Sequence, residues 1–354
     1  MRAVRFYDKR DIRVEEIAEP SEVLDHQVLI EPKLCGICGT DLHEYIAGPI
    51  VTPATPNSLT GAVLPQILGH EFSAKILATG KAVTNLKPGD RVSIQPLMAP
   101  EDDYFARRGL VHLSDRLGVV GLSWAWGGFG QKAVVDAINA IPVPDSLSDA
   151  QAALIEPAAV AVYAVDRGRV TSGSSVLVSG AGPIGALTLL AARAAGASIL
   201  FVAETNPHRL RKAQEIVPGV IAINPREQNV AEVVRSHTEE GIGVDTAIEC
   251  VGNEASLNAC VDSVRRQGVV VQAGLHIKPA TVTPMTWALK DISIEATWCY
   301  PVQSWSRIAR MIAAGIFPVE RVVTATIDAK DVVAEGFEAL LDPQGQHLKI
   351  LVRP

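Results

Sequence analysis

The sequence predicts an α/β protein of two domains, a doubly wound parallel sheet and a second, β-rich unit. Three observations carry that expectation. The stretch SSVLVSGAGPIGALTLLAARAAGASILFVAETN (174–206) reads as strand, glycine turn, helix and strand, and alternation of this kind builds parallel sheets. Up to about residue 150 the chain consists instead of short β-type runs and long turns. Finally, 354 residues exceed what one ordinary core accommodates.

In chain order, QVLIEPKL (27–34), SAKILA (73–78), GDRVSI (89–94) and QKAVVDA (131–137) are the early strands, each bounded by Gly, Pro, Asn or Asp. The Tyr45–Leu64 stretch has three prolines and no period, which predicts a long loop. Near residue 145 the texture changes. Ser148 and Asp149 are helix-start candidates before an Ala-rich apolar helix. After the 174–206 unit come a helix at RLRKAQEIV and strands at GVIAINP, VDTAIECVG and GVVVQAGL. A helix at SWSRIARMIAAGIF, a final helix and an LKILV strand close the chain.

A net charge of -7 gives no basic footprint for nucleic acid or anionic lipid. MRAVRFYDKRDI has no apolar signal core, and the longest apolar run, IGALTLLAARAAGASIL, carries Arg193 and reads as a buried helix entering a strand. Five cysteines are an odd number for a disulfide framework, so a reduced, cytoplasmic protein without membrane or nucleic-acid partners is expected.

Gly180, Gly182 and Gly185 form G-x-G-x-x-G between a β run and a helix, with Pro183 at the first helical position. The first glycine serves the turn, the second close approach of a pyrophosphate, the third helix-strand packing, and the helix start favours phosphate. Glu204 ends the next strand, where a carboxylate accepts both ribose hydroxyls and repels a 2′-phosphate. NAD is therefore expected over NADP, with Arg209 as the countervailing charge.

LCGICGTDLHEY (34–45) holds a C-x-x-C pair, and LPQILGHEFSAKI (64–76) sets His70 beside Glu71. With no second C-x-x-C, three readings stand: a redox pair, coincidence, or a catalytic zinc using one of the cysteines. The third needs three N, S or O ligands and one open position. Cys38, His70 and the carboxylate of Glu156, set in an apolar run, supply them.

CGICGTDLH, LGHEF, KPGDRV, IEPAAVAV and GAGPIG, in that order and spacing, resemble the zinc-dependent medium-chain alcohol dehydrogenases. HEYIAGPI, LTGAVLPQILGHE, LGVVGLSWAWGGFGQKAVV and GFEALLDPQGQHLKILV look most like the (R,R)-2,3-butanediol branch, with sorbitol dehydrogenases close.

The resemblance implies a GroES-like catalytic domain (1–155 and 296–354) and a Rossmann domain (156–295). It also implies hydride transfer between NAD and a secondary alcohol or ketone, and a homodimer or homotetramer. Zinc falls to Cys38, His70 and Glu156, with Glu71 as the neighbouring carboxylate that can replace a ligand. Asp41 is the acceptor that fixes His70, Thr40 contacts the substrate hydroxyl and His43 carries the proton onward. Ile184, Val251 and Leu275 join the glycine turn as nucleotide contacts. The rival readings are a polyol or other secondary-alcohol dehydrogenase and a metal-free, NAD-binding regulatory protein.

The chain also departs from its family. The four positions that carry structural-zinc cysteines in many members are here Pro100, Asp103, Ala106 and Ser114, so one zinc per chain is expected. His112, Asp102 and Asp103 are expected to face water. Trp124, Trp126 and Phe129 in SWAWGGFG either narrow a substrate pocket or pack in the core.

Overall fold

The strand Gln27–Gly36 is the longest of the chain, and its two neighbours organise everything near the candidate metal site. It pairs antiparallel with Glu71–Thr79 on one side and with Lys349–Arg353 on the other. Ala133–Asp136 pairs along its first half. Arg91–Ile94 and Ala140–Pro142 extend the sheet outward, and Val323–Asp328 closes it beside Lys349–Arg353. A smaller sheet joins Asp11–Glu16, Arg2–Asp8 and Gln66–Ile67.

The computed structural model describes all 354 residues. They divide into two units: Met1–Glu156 with Pro301–Gly315 and Val323–Pro354, and Pro157–Tyr300 with Ile316–Val322. The short segment Ile316–Val322, which the sequence assigns to the catalytic domain, therefore belongs to the second unit. Its Val319 and Val322 are fully buried there, which is the physical reason for the exchange.

The second unit is a six-stranded, wholly parallel sheet. Its order is Ile221–Ile223, Ile199–Ala203, Ser175–Ser179, Val244–Glu249, Val264–Gln272, Ser293–Ala296. That is the dinucleotide-fold order, in which the chain reverses direction at the first strand. Apolar runs such as Leu177, Phe201, Ala247 and Val270 are fully buried, as expected of strands covered on both faces.

Two helices differ from expectation. The run after Ser148 is not one helix but two, Asp149–Ala153 and Ile155–Arg167. Its start is as expected: Ser148 Oγ accepts from Gln151 N at 3.1 Å, and Gln151 Oε1 accepts from Ser148 N at 2.9 Å. The break follows from Pro157, which has no N–H to offer the Ala153 carbonyl one turn back. The final helix is mainly a widened π-type segment, Val332–Glu338. Within it, Gly336 sits so close to Ile37 that a Cβ would come within 2.7 Å of its Cδ1.

Candidate metal centre and nucleotide turn

Gly36 pairs with Glu71 on one side and Leu351 on the other, so three strands lie side by side where the chain turns into the helix Gly39–Ala47. Cys38 caps that helix, its N–H donating to Asp41 Oδ2 at 2.9 Å. The ligand atoms of Cys38, His70 and Glu71 all lie within 4.8 Å of one another. Sulfur, imidazole nitrogen and carboxylate oxygen within reach of one ion are a zinc donor set, and three protein ligands leave a position for substrate.

The electrostatics suit a bound cation. His70 Nδ1 faces Asp41 Oδ1 at 3.5 Å, and neither buried atom has a properly aligned hydrogen bond. Burial, reinforced by the charge of Glu71, pushes the Cys38 thiol up. Burial works against the imidazolium of His70, yet Asp41 and Cys38 hold its pKa well above the ordinary range. A bound metal inverts that local logic by deprotonating the thiol and engaging the neutral ring.

The two candidate carboxylates stand differently toward Cys38 and His70. Glu71 completes the cluster, whereas Glu156, buried in the first turn of Ile155–Arg167, lies outside it. Adjacent residues in a strand point to opposite faces, which argues against His70 and Glu71 sharing an ion. Here Gly69 takes φ +95°, and the strand begins only at Glu71, so His70 is freed from that alternation.

A clamp that the sequence reading missed holds the His70 turn. Gly128 N donates to Gly69 O at 2.7 Å and Phe129 N to Leu68 O at 3.0 Å. Gly121, at φ +81°, lies so close that a Cβ would sit 2.0 Å from Gly69 O. The glycine richness of GGFG was the available signal. The same segment separates the three aromatic residues. Phe129 is fully buried, and the Trp124 indole donates to Val134 O at 2.8 Å, so both are framework. Trp126 alone of the three keeps its ring partly exposed without such an anchor.

Thr40 and His43 sit on the helix that Cys38 caps. Thr40 Oγ1 lies 3.7 Å from Cys38 Sγ, and His43 is exposed. Cys35 is fully buried, and burial, reinforced by the charges of Asp41 and Glu71, drives its thiol well up, so it stays neutral.

In the second unit, Gly180 adopts φ +99°, and a Cβ at Gly185 would fall 2.0 Å from Gly180 O. Both positions thus require glycine. Gly182 caps the helix Pro183–Ala194, and nothing lies within 4 Å of where its Cβ would be, the opening a pyrophosphate needs. Ile184 follows in the first turn. Glu204, one residue past its strand, accepts from Ala181 N at 2.9 Å and from Asn206 N at 2.8 Å, tying the turn to the next loop. Arg209 lies in Pro207–Ile216 with a buried, unbonded Nε.

Val251 and Leu275, each about half exposed, follow the strands Val244–Glu249 and Val264–Gln272. A residue absent from the sequence reading organises them. Fully buried Glu249 accepts from Val251 N at 2.7 Å and Gly252 N at 2.8 Å, with His276 Nε2 at 3.2 Å.

The 100–114 lobe is closed by protein hydrogen bonds. Asp103 Oδ1 accepts from Phe105 N and Ala106 N at 2.8 and 2.9 Å, and Oδ2 accepts from Ser114 Oγ at 2.9 Å. The expectation that these groups face water fails for His112 alone. Asp103 is turned onto the backbone and His112 is 1 % exposed, while Asp102 pairs with Arg116 at the surface.

These two units match two family models, the alcohol dehydrogenase GroES-like domain over residues 24–145 and the zinc-binding dehydrogenase over 183–314. The chain belongs to the zinc-dependent alcohol dehydrogenases, a family of oxidoreductases. Among its relatives, the (R,R)-butanediol dehydrogenase of Bacillus subtilis (strain 168) is 36% identical over 100% of both chains. The crystal structure of 2R,3R-butanediol dehydrogenase from Bacillus subtilis superposes with a TM-score of 0.93, covering 100% of this chain and 99% of that one. Human sorbitol dehydrogenase is 33% identical over 97% of this chain and 93% of its own. A short chain alcohol dehydrogenase from E. coli CFT073, solved in complex with NADH, matches at 26% identity and TM-score 0.88, covering 100% and 99%.

Proposed function

We propose that the chain interconverts 2,3-butanediol and acetoin with NAD, using one zinc held by Cys38, His70 and Glu71. The observation that carries this reading is the convergence of those three donors on one point beside an orphaned His70–Asp41 contact. Full-length likeness to butanediol dehydrogenases supports the substrate. Bound zinc supplies Lewis acidity toward the substrate oxygen, and bound NAD supplies the hydride acceptor.

The protein residues do the rest. Asp41 orients the His70 ring through Nδ1, the kind of support that metal-binding imidazoles use. Thr40 Oγ1, near Cys38, would accept the substrate hydroxyl proton as it releases its own, and exposed His43 would pass that released proton to solvent. Glu156 and Glu71 offer carboxylates for the second oxygen of a vicinal diol or hydroxyketone. Gly180–Gly185 seat the pyrophosphate, Glu204 faces the ribose, and Ile184, Val251 and Leu275 flank the nucleotide.

A steady-state panel of butanediol stereoisomers, acetoin, sorbitol and simple secondary alcohols, run with each nicotinamide cofactor, tests the reading. A preference for sorbitol shifts the assignment to the polyol branch. Activity without metal, or no activity with stoichiometric zinc, ends it. Glu204→Ala is expected to narrow the NAD-over-NADP preference by about tenfold, roughly 1.4 kcal/mol, in the ratio of kcat/KM values.

No helix is long and apolar enough to cross a membrane, which fits a cytoplasmic enzyme. The sheet ends on Ser293–Ala296, an unpaired edge with exposed Ile294 among exposed Met285, Leu289 and Trp298. Such an edge favours pairing with a second copy, as homodimer or homotetramer. Light scattering that reports a monomer overturns this.

A further inference from the structure

Glu249 is a fully buried carboxylate at the end of the strand Val244–Glu249. Enclosing such a group is costly unless it is well partnered, and its ion pair is with a histidine, not a lysine or arginine. The partners come from two turns. Oε1 accepts from Val251 N at 2.7 Å and Gly252 N at 2.8 Å, in the turn that follows its own strand. Oε2 faces His276 Nε2 at 3.2 Å, in the turn after the neighbouring strand Val264–Gln272. A carboxylate only accepts, so the imidazole donates. The Glu249 carbonyl adds Ala273 N and Gly274 N, each at 2.9 Å.

The two turns also touch directly. Gly252 takes φ +82°, and a Cβ there would fall 2.4 Å from Leu275 O, while a Cβ at Gly274 would fall 2.3 Å from Gly252 N. One residue therefore fastens both turns, and neither shifts without the other. Their place in the sheet gives the fastening a use. The Gly180–Gly185 turn follows Ser175–Ser179, with the strand before Glu204 on one side and Val244–Glu249 on the other. A dinucleotide laid across that reversal point puts its adenosine half toward Glu204 and its nicotinamide half over the ends of Val244–Glu249 and Val264–Gln272. Val251 and Leu275 present half-exposed apolar side chains there.

We propose that Glu249 and His276 form a latch that positions the nicotinamide half of the cofactor, holding the two turns together so that Val251 and Leu275 receive it. Both are positioning residues, acting through the turns. The inference rests on the nucleotide reading above. Calorimetric titration of the purified protein with NADH and with ADP reads the latch, because ADP carries the adenosine and pyrophosphate without the nicotinamide riboside. A merely structural pair would weaken both ligands alike. His276→Leu leaves Glu249 Oε2 buried without its donor. Its NADH affinity is expected to fall by about tenfold, the size of one hydrogen bond to a charged group, with ADP affinity unchanged. His276→Gln, which returns an amide donor, is expected to recover most of the loss. Glu249→Gln keeps an oxygen for Val251 N and Gly252 N, removes the charge, and is expected to weaken NADH but not ADP. In that background, His276→Leu is expected to lose most of its effect.

Parent-like NADH binding by His276→Leu overturns the proposal, as does equal weakening of NADH and ADP, or an effect that persists at full size in the Glu249→Gln background. If His276→Leu does not fold, Glu249→Gln decides alone, and an unchanged ratio of NADH to ADP affinity is the overturning result. A parent protein that does not bind NADH overturns the nucleotide reading itself; a parent that binds it, with insensitive variants, overturns only the latch.

Discussion

The metal centre and the 100–114 lobe are both turn-rich parts of the first unit, yet their polar groups are balanced in opposite ways. At the centre, Cys38, His70 and Glu71 crowd together, with Asp41 and His70 left misaligned at 3.5 Å. In the lobe, Asp103 is fully engaged by two backbone N–H groups and Ser114 Oγ. One region crowds a thiol, an imidazole and two carboxylates, of which Glu71 pairs with buried Lys349 while His70 and Asp41 stay misaligned. The other spends its carboxylate on protein donors, at positions where many relatives of this family place cysteines. Buried polar groups need partners, and what distinguishes the two regions is that His70 and Asp41 are buried without an aligned hydrogen bond between them, whereas half-buried Asp103 is met by three protein donors.

The largest test of that contrast is Cys38→Ser. Altering a partner of a metal ligand typically costs 10–100-fold, so removing a ligand is expected to cost more than about a hundredfold in kcat. Elemental analysis should show zinc lost, with protease resistance of the lobe intact. Joint failure of both regions would mean that they are not independent.

Gly121→Ala strikes the clamp. Positive φ and a Cβ 2.0 Å from Gly69 O are expected to destabilise the fold by roughly 2–4 kcal/mol in denaturant titration. Unchanged stability would show that the His70 turn does not depend on that packing.

Asp103→Ala is expected to speed proteolytic nicking within 100–116 while zinc content and kcat stay at parent values. Hydrogen bonds from Ala106 N, Ser114 and Phe105 N hold the Asp103 pKa below the ordinary carboxylate value. A depressed folded-state pKa contributes stability above the unfolded value, about 3.9, and loses it as pH falls through the lower, folded one. Nicking of the parent lobe should therefore rise only below about pH 4; acceleration near neutrality would contradict the assignment.

The smallest effect is expected from Trp126→Gly, a shift in the activity ratio of butanediol to longer diols. An unchanged ratio would place Trp126 with Trp124 and Phe129 as framework.

Much of the site is legible in the sequence because its signals are local. Gly180 and Gly185 announce a turn that no side chain can occupy, Ser148 announces a capped helix, and the C-x-x-C and GHE segments announce ligand chemistry. Less legible are contacts made across strands. Glu71 becomes the third donor only because Gly69 frees His70 from strand alternation. Glu249 organises Val251 and Gly252 without any motif, and Gly121, Gly127 and Gly128 reveal their purpose only against the Leu68–His70 backbone.

By itself, then, the chain determined the division into a β-rich and a parallel α/β part, the glycine turn and the residue types that bind metal, since each depends on neighbours within a few positions. Only the tertiary structure decided that the Glu71 carboxylate lies within 4.8 Å of the Cys38 and His70 ligand atoms, and that Lys349, 278 residues after Glu71, lies against it. Those outcomes depend on the register of three strands drawn from opposite ends of the sequence, and register is fixed by packing rather than by local preference.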